Sequence, residues 1–89
     1  MNCVEVLIVN ELGMHARASA KLVSLASSFE SAITVARDGR TVNGKSIMGI
    51  MMLAAGKGTT IRICAEGPDE SEASAALLQL IEHRFGETA

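Results

Sequence analysis

Two side chains in this sequence stand where they can do more than pack: His15, within Gly13-Met14-His15-Ala16-Arg17, and Ser46, within Gly44-Lys45-Ser46-Ile47. His15 lies between a glycine-containing loop and the start of a helical apolar period, which places it at a helix N-cap. The first N–H groups of such a helix, those of Ala16, Arg17 and Ala18, have no partner inside it. An imidazole there is a nucleophile beside an anion receptor. The positive helix end suits a neutral ring, and the same N–H groups, with the Arg17 guanidinium, can receive the oxygens of a phosphoryl group carried on the ring. A histidine that merely caps the helix fits these residues equally well. Ser46 precedes Ile47-Met48-Gly49-Ile50-Met51-Met52 and reads as the cap of a second, short helix, a structural role worth about 1 kcal/mol.

The remaining reactive residues carry less. His83 falls among polar residues near the end of the last helix, where a solvated histidine suits the dipole. Cys3 and Cys64 show neither metal-ligand spacing nor a disulfide framework and read as small apolar strand residues. Whether the two meet on neighbouring strands stays open. No metal site is expected.

The elements that must position His15 and Ser46 follow from periodicity. Residues 3–9 are rich in β-branched types with Val4, Val6 and Ile8 on one face, a strand. From Ala16 the period turns helical, with Ala18, Leu22, Leu25, Ala26 and Phe29 on one side. Residues 32–36 form a second strand, and Asp38-Gly39 predicts a tight hairpin into a third at 41–43. A short helix over 47–53 is expected to end on a glycine of the Gly56-Lys57-Gly58 stretch. Residues 59–65 alternate as a fourth strand. Asp69 then reads as the N-cap of a final helix with an acidic residue three positions on, running to about 83–84 and burying Ala73, Leu77, Leu80 and Ile81.

The order βαββαβα predicts an α+β fold: a two-layer open-faced β-sandwich, with a four-stranded antiparallel sheet covered on one face by three helices. A chain of 89 residues suffices for one domain, 1–89. Its apolar share of 48% contains only two aromatic residues, Phe29 and Phe85, so the core must be aliphatic. A net charge of −2 with mixed signs argues against a nucleic-acid partner, which calls for a basic stripe. The N-terminus has no signal-peptide pattern, and the longest apolar tract, 47–55, falls far short of the roughly 20 residues of a spanning helix. A cytoplasmic protein without direct membrane contact is expected.

Gly13-Met14-His15-Ala16-Arg17 resembles the active-site signature of HPr, the histidine-containing phosphocarrier family of the bacterial phosphoenolpyruvate-dependent sugar phosphotransferase system. Thr41-Val42-Asn43-Gly44-Lys45-Ser46-Ile47-Met48-Gly49-Ile50 resembles that family's second signature, which contains a regulatory serine. The resemblance spans essentially the whole chain. It implies that His15 accepts a phosphoryl group on Nδ1 from phosphorylated enzyme I and passes it to a histidine of an IIA protein or domain. It implies a carrier without turnover of its own and without a cofactor, with Ala16, Arg17 and Ala18 holding the phosphate. Ser46 is then the target of an ATP-dependent HPr kinase/phosphorylase.

The docking surface expected from this likeness comprises Met14, Ala16, Ala20, Ile47, Met48 and Met51, ringed by Arg17, Lys21 and Lys45. Methionines adapt to several partners, and the basic ring favours acidic partner faces. A carrier needs a free site, so a monomer is expected. One departure stands out: the family motif usually continues with proline after the arginine, and here Ala18 takes its place. Losing that stiffening costs about 0.4–1 kcal/mol through the unfolded chain, and the change bears on which pathway is served. The rival reading is a regulatory adaptor in carbon catabolite or nitrogen-linked control, binding a transcriptional regulator or enzyme according to Ser46 phosphorylation. A bare α+β interaction domain would require both signatures to be coincidental.

Overall fold

Three β-branched runs and one short hairpin return build the sheet, and three amphipathic segments cover it. In the computed structural model, which describes residues 1–89, the strands are β1 (Asn2–Leu7), β2 (Ala32–Arg37), β3 (Arg40–Asn43) and β4 (Thr60–Glu66). The helices are α1 (Ala16–Ser27), α2 (Ile47–Met52) and α3 (Glu70–Glu82), followed by a short turn at Arg84–Gly86. The sheet order is β1-β4-β2-β3, and every pairing is antiparallel. This is the α+β architecture expected from the sequence.

Alternation decides which face is buried. Val6, Ile33, Val35, Ile61, Ile63 and Ala65 are buried and meet Ala18, Leu22 and Ala26 of α1, Ile50 of α2, and Ala73, Leu77 and Ile81 of α3 in one cluster. The intervening positions, among them Glu5, Thr34 and Arg62, look out on the uncovered face. Asp38 and Gly39, at φ 50° and 81°, make the two left-handed residues of a type I′ turn, whose twist matches the paired strands.

Three local expectations are corrected. The helix α2 does not end on a glycine; Ala54 takes the left-handed conformation at φ 51°. The exposed carbonyls there are covered by Arg37, whose Nη1 donates to Leu53 O at 2.7 Å and Ala54 O at 3.1 Å. Asp69 occupies the N-cap position of α3 but makes no capping bond. Its carboxylate instead accepts from Ser31 Oγ (2.5 Å), Ser31 N (3.0 Å) and Glu30 N (2.9 Å). Ser31's hydroxyl, then the Glu30 N–H, hold that carboxyl below the usual carboxylate range.

The cysteines are the third correction. Cys3 and Cys64, read as separate apolar strand residues, are joined in a disulfide, with their Cα atoms 4.0 Å apart. They are direct register partners of β1 and β4. Sequence separation alone carries no register, so this meeting follows only from the tertiary pairing of the strands.

Candidate functional site

The loop before α1 is built from short-range bonds around a buried polar residue. Gly13 N donates to Asn10 O at 3.1 Å, and Asn10 Nδ2 returns a bond to Gly13 O at 2.8 Å. Gly13 sits at φ 64°, and a Cβ there would fall 2.8 Å from Ala55 O and Gly56 Cα, so only glycine fits. Met14 N then donates to Ala55 O at 2.8 Å, and Ser19 Oγ donates to Met14 O at 3.2 Å. These bonds deliver His15 to the N-cap of α1 in an extended conformation. Its carbonyl accepts from Ser19 N at 2.8 Å.

Both ring nitrogens of His15 are engaged. Arg17 N donates to Nδ1 at 3.3 Å, the side-chain capping bond that a histidine can offer. Nε2 lies 2.5 Å from Glu87 Oε2, a contact across 72 positions of sequence. The other carboxylate oxygen, Glu87 Oε1, accepts from Asn10 Nδ2 at 3.0 Å. Asn10's amide, then His15, hold the Glu87 carboxyl below the usual carboxylate range. Periodicity and motif gave no sign of Glu87. It arrives because Arg84 and Phe85, at φ 58° and 56°, turn the chain sharply back after α3. Neither is the glycine or asparagine that normally announces such a turn. Burial of Phe85 and the bond from Lys21 Nζ to Phe85 O at 2.6 Å hold that turn down.

A cavity of about 520 Å³ opens over this arrangement, lined by Glu11, Leu12, His15, Ala16, Arg17 and residues 87–89. The His15 side chain is 26% exposed, reachable from the cavity yet supported on one edge. The N–H groups of Ala16 and Ala18 make no main-chain hydrogen bond, as expected for the first turn of a helix, but Ala18 is fully buried and does not line the cavity, which corrects its expected place among the phosphate-holding residues. Ala16 and Arg17 are exposed, and the Arg17 guanidinium enters no ion pair. The arrangement can present a ring lone pair, backbone donors and an unpaired cation to one incoming anion.

The expected docking residues divide. Ala20, Ile47, Met48 and Met51 are exposed, whereas Met14 is only 7% exposed and packs into the core. That corrects its place in the surface: the bond to Ala55 turns the Met14 side chain inward. Lys21 is committed to Phe85 O. Lys45 donates to Phe29 O at 2.8 Å, closing the end of the chain after α1. Leu12 and Met52 are further exposed apolar residues not anticipated from the motifs; Leu12 lines the His15 cavity. Ser46 caps α2, its Oγ accepting from Gly49 N at 3.1 Å, and it does not line the His15 cavity.

A family model described as PTS HPr component phosphorylation site matches residues 3–83. The phosphocarrier protein HPr of Cupriavidus necator is 60% identical over 80 residues, covering 90% of each chain. Among solved structures, HPr-C-His from Thermoanaerobacter tengcongensis superposes with a TM-score of 0.97 at 48% identity, over 100% of both chains. An HPr dimer from the same organism matches at 0.79 and 49% identity, over 98% of this chain and 100% of that one.

Proposed function

The chain belongs to the HPr family, phosphoryl carriers of the phosphotransferase system that have no independent enzyme activity, and we propose that His15 is the residue that carries the phosphoryl group. Enzyme I and IIA proteins are the partners that membership implies. The observation that carries the assignment is the placement of His15 at the α1 N-cap, with Nδ1 facing the N–H of Arg17.

The transfer follows from that placement. Nδ1 attacks the phosphorus held on phospho-enzyme I; a new N–P bond forms as the bond to the donor breaks, and that bond's electron pair stays with the donor. Once Nδ1 is bonded to phosphorus, the Arg17 N–H is released from the ring. With the N–H group of Ala16 it turns to the phosphoryl oxygens, and the unpaired Arg17 guanidinium closes over them. Such donors hold the group moderately, as reversible transfer demands. Incubation with enzyme I and labelled phosphoenolpyruvate tests this reading: label should enter the chain, and a His15→Ala variant that still takes it up would end the assignment. Arg17→Ala should slow uptake by at least about tenfold, as removal of one oriented anion donor does elsewhere.

The control point in this proposal is Ser46. A phosphate at the start of α2 suits the helix dipole, so the fold persists and the added charge acts on docking. Label from ATP and an HPr kinase should enter the protein and be lost in Ser46→Ala. The docking surface is proposed to be the exposed apolar set Leu12, Ile47, Met48, Met51 and Met52 beside His15 and Ala20. The intact His15 site speaks against a purely regulatory adaptor that binds a transcriptional regulator. No helix is long and apolar enough to cross a membrane. We place residues 1–89 in the cytoplasm as a single, monomeric carrier domain, a state that sedimentation would check.

A further inference from the structure

We propose that Glu87 is a positioning residue for His15: oriented by the buried Asn10, it fixes which ring nitrogen is free to accept phosphorus. The inference rests on the reading of His15 as acceptor.

The argument is one of hydrogen-bond polarity. At Nδ1 the ring meets Arg17 N, which only donates; at Nε2 it meets a carboxylate oxygen, which only accepts. A neutral imidazole has one proton. The single arrangement that satisfies both neighbours puts that proton on Nε2 and leaves the lone pair on Nδ1. The opposite tautomer would set two donors against each other at Nδ1 and two acceptors at Nε2. As Nδ1 bonds to phosphorus the ring gains positive charge, the proton stays on Nε2, and the carboxylate faces that charge from 2.5 Å. Glu87 touches the ring on the edge opposite the reacting nitrogen, so it acts through His15.

The support beneath Glu87 has the same polarity. Asn10 is fully buried, and its Nδ2 serves two acceptors, Gly13 O and Glu87 Oε1. Its Oδ1 is buried without a partner. A buried acceptor left unmatched is costly, and flipping the amide would forfeit both existing bonds, so Asn10 is held for its donor end. The left-handed pair Arg84 and Phe85 is a second cost met at the same place, and it is what carries Glu87 to the ring. The other charged groups nearby are otherwise placed. Arg17 reaches over the cavity, Lys21 donates to Phe85 O and adds a minor attraction to the Glu87 carboxylate, and Glu11 is paired with Lys57 at 2.7 Å.

The test is Glu87→Gln. Because Asn10 must donate, the new amide turns its oxygen to Asn10 and its NH2 to the ring; Nε2 must then accept, and the proton moves to Nδ1. Long-range 1H–15N spectra of the unphosphorylated full chain at alkaline pH, with exposed His83 as internal reference, read the tautomer directly. The wild type should show Nε2–H, and Glu87→Gln a shift toward Nδ1–H. Uptake of label from phospho-enzyme I should slow by roughly a hundredfold in Glu87→Gln, the lower end of what a positioned proton contributes at a reacting group. Glu87→Ala, which removes the constraint without imposing its opposite, should fall between. A wild type in the Nδ1–H form, or an unchanged tautomer in Glu87→Gln, overturns the proposal even if the rate drops. If label never enters the wild type, the acceptor reading fails separately, and the tautomer result still decides the role of Glu87.

Discussion

The N–H of Met14 donates to the carbonyl of Ala55 at 2.8 Å, tying the loop in front of His15 to the loop that follows α2. The bond forms because Gly13 lets the two backbones approach; no side chain fits between them.

Gly13→Ala should therefore destabilise the fold and loosen the site together. The left-handed backbone and a Cβ 2.8 Å from Ala55 O make a loss of about 1–3 kcal/mol the expected outcome. Urea unfolding would measure it, and a midpoint equal to wild type would mean the two loops can part at no cost.

Asp69 predicts a pH dependence. Its carboxyl lies below the ordinary 3.8 in the folded chain, chiefly through the Ser31 hydroxyl. A depressed folded-state value contributes stability at pH above 3.8 that is lost as pH falls through the folded value. Asp69→Asn should accordingly be less stable than wild type at neutral pH, with the gap closing in acid. Parallel denaturant titrations down the pH scale would show it; a gap that stays constant would assign the effect to lost packing.

Ser46 separates stability from signalling. Ser46→Ala removes the bond to Gly49 N and should cost about 1 kcal/mol, whereas Ser46→Asp keeps an N-cap acceptor and should stay within about 0.5 kcal/mol of wild type. Thermal unfolding reads the first pair of values. Transfer from enzyme I should then suffer in Ser46→Asp despite its intact fold, and equal transfer in both variants would argue against a charge effect on docking.

The Cys3–Cys64 bridge links strands 61 residues apart in sequence on the face of the sheet away from the helices. Reduction should lower stability by about 2–4 kcal/mol while leaving the core and the His15 site in place. Alkylation of the denatured, unreduced chain should find no free thiol, and two after reduction. Two reactive thiols before any reductant would show the bridge does not form in solution.

The strands, the helices and the hairpin at Asp38-Gly39 were legible because each rests on a local pattern: alternation, a helical period, a two-residue turn. The capping roles of His15 and Ser46 were legible for the same reason. What escaped was set by distance. Glu87 reaches His15 only through left-handed Arg84 and Phe85, residue types that do not advertise such a turn. Cys3 and Cys64 became partners through the register of β1 on β4, which neither strand's own pattern carries. Met14 reads as an adaptable surface contact near His15, yet one main-chain bond to Ala55 turns it into the core. Asp69 kept its place before α3 but spent its oxygens on Glu30 and Ser31, an exchange no spacing rule anticipates.

The sheet order carries a consequence for synthesis. Only β2 and β3 are both adjacent in the sheet and joined by a tight turn; β1 has β4 as its sole neighbour. During synthesis β1 therefore waits, apolar and edge-open, until residue 66 has emerged. A newborn chain halted before that point has a hairpin but no sheet around which α1 could settle, and so no seat for its histidine.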